Sequence, residues 1–345
     1  MILKNYREYL INADYDIKKA IVKLGKLENQ FCIVCDGKNK FIGTLTDGDI
    51  RRGLLKNYNL NDKIRKFCNK KSATIKTFNL DKKIIEILEK KRVKFIPVLN
   101  KFNQVLGIHY FSDPLQNNLI ENIMVIMAGG LGKRLRPYTK KIPKPLLPIN
   151  GKPIIERIIL TAKKQGITNF VISINYLGNK IKKYLGDGSK FGIKIDYIKE
   201  DKPLGTAGSL YFLDNIKEPV IVTNADIISN INYKEMLNYH LKLRSYITVG
   251  AISNFEKNHY GEIIFKNNWI TKIEEKREKK TYINAGIYIL NPKFKKYFKK
   301  KKFYHMTDFI DRSISLNKRV SLFPIHENWD DYGIKEKYQK KINDI

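Results

Sequence analysis

The stretch that most constrains the fold is residues 122–153, N-I-M-V-I-M-A-G-G-L-G-K-R-L-R-P-Y-T-K-K-I-P-K-P-L-L-P-I-N-G-K-P. Residues 123–128 run apolar with no polar alternation, the pattern of a strand buried on both faces of a parallel sheet. The run ends at Ala128 and enters a glycine cluster, Gly129, Gly130 and Gly132, whose backbone can turn its N–H groups toward an anion. Lys133, Arg134 and Arg136 follow with fixed positive charge, which makes the segment a phosphate cradle. On the glycines alone, an ordinary tight turn explains the residues equally well. A P-loop would need Lys-Ser/Thr after a longer glycine spacing, and a dinucleotide fingerprint would need a third glycine where Arg134 or Leu135 stands. Pro137, Pro143, Pro145 and Pro148 are expected to hold the continuation extended, so that Lys144 is delivered from a stiff backbone. Gly151-Lys152-Pro153 then opens an amphipathic helix.

At 345 residues the chain has room for two domains, each with its own core. Lysine and arginine number 66 against 34 acids, a formal +32. Such a balance often signals nucleic acid, but the excess is lysine spread along most of the chain, so no specific nucleic-acid partner is expected. The densest run, residues 295–302, reads as a solvated helix face. Cys32, Cys35 and Cys68 make neither a zinc site nor a disulfide framework, and read as small buried hydrophobes in a reducing compartment. The N-terminal residues are too charged for a signal peptide, and no apolar run approaches the ~18 residues a span needs, so a cytoplasmic protein is expected.

Residues 1–118 carry two similar units. The first reads as a helix over 17–27, a strand over 31–35, a turn at 36–39, a strand over 41–45 and a helix over 47–55. The second reads as a helix over 80–91 and strands over 95–99 and 104–110. Such a repeat cannot bury its sheet face alone, so the halves should pack on one another. Residues 113–122, with a proline and three asparagines, read as the linker. From residue 122 on, within a second domain spanning 119–345, strands and helices alternate, with helices over 154–164 and 206–213 and strands over 170–174, 193–198 and 220–223. Alternation with short loops predicts an α/β fold, a mainly parallel Rossmann-like sheet with helices on both faces and ligands at the carboxyl ends of its strands. The preceding module is α+β.

The motif from Gly129 to Pro137, continued by Pro143-Lys144-Pro145, resembles the signature loop of the sugar-1-phosphate nucleotidylyltransferases, and later stretches match in the family's order. The resemblance implies that Ala128, Gly129, Gly130, Gly132, Lys133 and Arg134 hold a nucleoside triphosphate, and that Gly205, Thr206 and Ala207 in D-K-P-L-G-T-A-G-S hold its base. Taken alone, Thr206 between two glycines is only a helix cap. Asp226, after a buried strand, falls on the family's first metal aspartate, with Ala225 where glycine is frequent. A carboxylate there suits Mg²⁺, and a plain loop cap is the alternative. Asp331 in W-D-D-Y-G falls on the second metal position. Gly261, Glu275, Asn284 and Gly286 fall on the sugar site, and Lys276 on the residue reaching the sugar's phosphate, although Arg277 replaces the usual proline. Glu275 and Lys276 also fit an ordinary solvated turn. The resemblance assigns the catalytic roles to Arg134, Lys144, Asp226 and Lys276. No appended left-handed β-helix, and hence no second acetyltransferase activity, is expected.

Residues 1–118 resemble a tandem pair of cystathionine-β-synthase (CBS) domains, best over Gly43 to Arg51. That likeness implies an adenine-nucleotide site at Thr46 and Asp49. An N-cap with acids in the first turn is the alternative, and a scaffolding or dimerising module in a homo-oligomer would leave the site without a ligand. The expected reaction is nucleotidyl transfer from a triphosphate, best GTP, to a sugar 1-phosphate, glucosamine 1-phosphate or a mannose-like phosphate. Uridylyl or thymidylyl transfer is the second expectation, and a non-catalytic sugar-nucleotide sensor the alternative of another class.

Overall fold

The computed structural model describes residues 2–3, 5–27, 29–80, 85, 88, 93–111, 120–257, 261–274, 278–300 and 302–343. The chain divides into two compact units, Met1–Gln116 and Asn117–Ile345. No helix among the described residues is long and apolar enough to cross a membrane.

The first unit runs β1 (Leu10–Asn12), α1 (Ile17–Lys26), β2 (Phe31–Cys35), β3 (Phe41–Thr46), α2 (Asp47–Leu55), α3 (Ile64–Phe67), β4 (Phe95–Leu99) and β5 (Val105–Tyr110). Asp16 starts α1 by accepting from the Lys19 amide at 2.9 Å, and β1 and β2 pair in parallel while β2–β3 and β4–β5 form hairpins. The two halves share one core, as the repeat predicts. Phe31 of the first stacks on Phe95 of the second with ring centroids 3.6 Å apart, among Ile33, Leu99, Val105 and Ile108. All three cysteines are buried and unbridged, and burial pushes the Cys32 and Cys35 thiols up to about 12. Most of the helix expected over 80–91, and most of the 113–122 linker, lies outside the described residues.

The second unit begins with β6 (Met124–Ala128), the short pair β7 (Pro148–Ile149) and β8 (Lys152–Pro153), and α4 (Ile154–Lys164). It continues through β9 (Asn169–Ile174), α5 (Gly178–Leu185), β10 (Lys194–Lys199), β11 (Val220–Asn224), β12 (Ile227–Ser229) and α6 (Tyr233–Lys242). It closes with β13 (Ile247–Lys257), β14 (Glu262–Lys266), β15 (Trp269–Glu274), β16 (Glu278–Leu290), α7 (Met306–Ser315), β17 (Val320–Ile325), β18 (Trp329–Asp331) and α8 (Lys335–Asn343). Among the described residues the central sheet has the order β10-β9-β6-β11-β16-β13-β17. The first four strands are mutually parallel, β16 is antiparallel to both neighbours, and β17 is parallel to β13. Alternate residues of β6 feed two cores, Met124 and Ile126 on one face and Val125 on the other, which is why its sequence carries no polar alternation.

From β6 the chain crosses to β9 and β10 on one side and later returns to β11 on the other. The sheet's order therefore reverses between β6 and β11, and the crevice at their carboxyl ends is where an open α/β sheet receives a ligand. The glycine loop leaves β6 at that end, and Asp226 lies just past β11.

Three local expectations need correction. In place of a helix over 206–213 there is a five-residue 3-10 turn, Gly208–Phe212. Gly205 at φ 80° lies with its bare Cα against the Tyr304 carbonyl, and the Thr206 hydroxyl accepts from the Met306 amide at 2.8 Å, so Thr206 tethers the start of α7 instead of capping its own helix. Lys144 sits not in an extended segment but at the first position of a 3-10 turn, Lys144–Leu146, entered from an extended Pro143. The lysine-rich run is no α-helix face: it begins inside the 3-10 turn Pro292–Tyr297, and Phe298 within it is a core residue.

Candidate active site

The glycine loop closes on itself through Gly132. At φ 62° a side chain there would be strained, and a Cβ would stand 3.0 Å from Thr139 Cγ2 and 3.3 Å from Lys144 Cβ. Thr139 donates its hydroxyl to the Gly132 carbonyl at 2.8 Å, and buried Leu135 anchors the turn Lys133–Leu135. Lys133 and Arg134 are left exposed beside Gly130, around which space is open. The loop thus lies directly on the backbone that carries Lys144.

Asp226 and Asp331, about a hundred residues apart in sequence, are brought together by a short ladder. β12 pairs antiparallel with β18, Ile227 opposite Asp331, and the Tyr332 amide donates to the Asp226 carbonyl at 3.0 Å. Lys144 Nζ is ion-paired with Asp226 Oδ2, both side chains largely buried. Gly333 measures the convergence: a Cβ built on it would stand 2.6 Å from Lys144 Nζ and 2.8 Å from both Asp226 Oδ2 and Asp331 Oδ1. The Gly333 amide holds Asp331 Oδ1 at 2.7 Å. Two carboxylates facing one small space offer the hard oxygens that Mg²⁺ takes, and Mg²⁺ commonly uses only one or two from the protein.

Sequence reasoning missed Glu200. It follows β10, is only 6% exposed, and accepts at Oε1 from the Ser173 hydroxyl and at Oε2 from the Leu204 amide at 3.0 Å. A Cβ on Gly129 would stand 2.9 Å from Glu200 Oε1, so this carboxylate joins the glycine loop to the Leu204–Gly205 turn. The only signal in the sequence was an acid directly before D-K-P-L-G, to which the sequence alone assigns no role.

Asn284 and Gly286 lie on β16 beside the end of β11, with Thr223 opposite Ile287. Gly286 takes φ 71°, and a Cβ there would stand 2.7 Å from Asn224 Nδ2. Asn284 Oδ1 accepts from the Gly286 amide at 3.0 Å. Burial pushes the Tyr288 hydroxyl up to about 12; a hydrogen bond to Asn284 opposes the rise and the Asp226 charge adds to it. Gly261 is exposed at the start of β14, and Glu275 and Lys276 lie outside the described residues. Thr46 and Asp49, in the first unit, form a capping box: Asp49 Oδ2 accepts from the Thr46 amide at 2.9 Å and its hydroxyl at 2.7 Å, and Arg52 donates to Oδ1 at 2.6 Å.

Residues 123–345 match the nucleotidyl transferase family. The chain is 31% identical over 225 residues, 64% of its length and 97% of the relative's, to D-glycero-alpha-D-manno-heptose 1-phosphate guanylyltransferase of Aneurinibacillus thermoaerophilus. It is 37% identical over 179 residues to a probable mannose-1-phosphate guanylyltransferase 1 of Oryza sativa subsp. japonica, and that match spans 49% of each chain, about half of the relative. The crystal structure of HddC from Yersinia pseudotuberculosis superimposes with TM-score 0.51 at 27% identity, covering 65% of this chain and 99% of that one. With a mainly parallel sheet whose switch point carries the glycine loop, and with the family's match running through it, the chain belongs to the nucleotidyl transferase family and is an enzyme of that family.

Proposed function

We propose that the chain transfers a guanylyl group from GTP to a sugar 1-phosphate, releasing pyrophosphate and leaving a GDP-sugar for surface glycan or nonulosonic acid synthesis. The observation that carries the reading is the meeting of Lys144, Asp226 and Asp331 beside the glycine loop. Both substrates are polyanions, and the sugar phosphate is already ionised at neutral pH. The in-line displacement therefore needs positioning and charge compensation, not a general base or a covalent intermediate.

Backbone amides of Gly129, Gly130 and Gly132, with Lys133 and Arg134, hold the β and γ phosphates. Lys144 offsets charge at the α-phosphorus, and Lys276 offsets it on the attacking phosphate. Bound at Asp226 and Asp331, Mg²⁺ supplies Lewis-acid compensation to the phosphate oxygens. Gly205, Thr206 and Ala207 bring backbone against the base, Asn284 and Gly286 face the sugar side, and Gly261 and Glu275 are assigned to sugar recognition by their place in the motifs.

The base is supported from two sides. Guanine presents adjacent N1–H and N2–H donors, which suit a buried carboxylate such as Glu200, whereas uracil and thymine present a single N–H between two carbonyls. The Aneurinibacillus and Oryza relatives carry the names of guanylyltransferases for a manno-heptose 1-phosphate and for mannose 1-phosphate, which supports GTP and a mannose-like substrate, with glucosamine 1-phosphate as the other sugar proposed. The first unit is proposed to be a CBS pair that regulates or dimerises the enzyme, with an adenine nucleotide at Thr46 and Asp49 as its ligand.

Pyrophosphate release across a grid of four triphosphates and several aldose 1-phosphates with Mg²⁺ tests the reading. GTP with a mannose-like phosphate or glucosamine 1-phosphate is expected to turn over fastest. UTP or dTTP with glucose 1-phosphate leading instead would replace guanylyl transfer by uridylyl or thymidylyl transfer, and no release with any pair would leave a sensor.

A further inference from the structure

Lys144 and a metal would compete for the same oxygen. The ammonium is ion-paired with Asp226 Oδ2, and the point 2.8 Å from that atom where a Gly333 Cβ would stand is also 2.8 Å from Asp331 Oδ1 and 2.6 Å from Lys144 Nζ. One small space, left open because Gly333 has no side chain, therefore gathers one positive and two negative groups. The Lys144 and Asp226 side chains are 14% and 16% exposed, so water screens that pair only weakly. An ammonium leaves one carboxylate charge uncompensated, and a divalent ion that approaches Asp226 Oδ2 in this small space is repelled by the ammonium already paired with it.

We infer that the Lys144 ammonium and a divalent cation are alternative occupants of one cradle, a proposal that rests on the metal reading of Asp226 and Asp331 given above. Without nucleotide the ammonium fills the cradle. The ion that arrives with the triphosphate displaces it, and the long side chain swings toward the nucleotide's phosphates, where the incoming negative charge receives it. Metal affinity in the nucleotide-free enzyme is accordingly low: metal at saturating concentration frees Lys144 by itself, and nucleotide arriving with metal frees it at a much lower metal concentration.

Calorimetric titration of Mn²⁺ into the nucleotide-free chain tests this. Lys144→Met is expected to bind Mn²⁺ tighter than wild type by about tenfold or more, because the competing charge is gone, while Lys144→Arg stays near wild type. Asp226→Asn should abolish binding in either background. Binding that Asp226→Asn abolishes but Lys144→Met does not tighten would overturn the competition and leave the metal site standing; no binding in any variant would remove both. A second measurement needs no variant: acylation of Lys144 by acetic anhydride, followed by peptide mass spectrometry, should rise when Mn²⁺ is added, and an unchanged yield would contradict displacement.

Discussion

The Tyr332 amide donates to the Asp226 carbonyl at 3.0 Å, and through that bond a residue near the chain's end fixes the main chain next to Asp226. Gly333 follows immediately, with no left-handed φ to demand glycine, so its requirement is one of space. Gly333→Ala is therefore expected to keep the fold and to lower turnover by about tenfold or more, since the methyl group enters the cradle of Lys144, Asp226 and Asp331. Steady-state turnover beside a thermal melt checks it, and turnover equal to wild type would mean the cradle has room to spare.

Glu200 offers a test of base recognition. Glu200→Gln keeps the shape but removes the charge that the Ser173 hydroxyl and Leu204 amide support. Losing a charged acceptor should raise the KM for GTP by about tenfold to a hundredfold and narrow the preference for GTP over UTP, with kcat changed less. A GTP KM within about twofold of wild type would detach Glu200 from the base.

His240 makes stability pH-dependent. Its ring is 1% exposed, Nδ1 bonds the Thr248 hydroxyl at 2.8 Å, and Nε2 is without a partner among the described residues. Burial lowers its pKa from 6.5 to about 4. The unfolded chain binds the proton more readily, so this contribution is complete above the unfolded value and is lost as pH falls from there toward 4. Urea unfolding at pH 7 and pH 5 should differ by about 2 kcal/mol from this residue, and His240→Leu should flatten the difference.

In the first unit, Asp49→Ala breaks the capping box with Thr46 and its pair with Arg52. It is expected to weaken that unit by about 1 kcal/mol and to alter any response to adenine nucleotides, leaving basal turnover unchanged. Equal loss of basal turnover would count against a separable regulatory module.

Much of this was legible before the coordinates. Continuous apolar strands and the glycine cluster are local or strongly patterned, and β2, α2 and α4 fall on the residues their periodicity marks, whereas Lys144, Asp226 and Asp331 are singled out together through the resemblance to the family's motifs. What stayed hidden depends on neighbours distant in sequence. Thr206 reads as an N-cap from its own surroundings, yet it bonds Met306 because Gly205 and Gly208 press against residues 302–304. Glu200 looks solvated until Ser173 and Gly129 are known to enclose it.

The central claim is that the Asp226 carboxylate organises charge compensation for transfer. Its most direct test is Mg²⁺-dependent GDP-sugar formation from GTP and a panel of sugar 1-phosphates by the wild-type chain beside Asp226→Asn, each checked by thermal melting. A fall in turnover of about a thousandfold or more with the fold retained is the predicted result; near-normal turnover by Asp226→Asn would contradict the account.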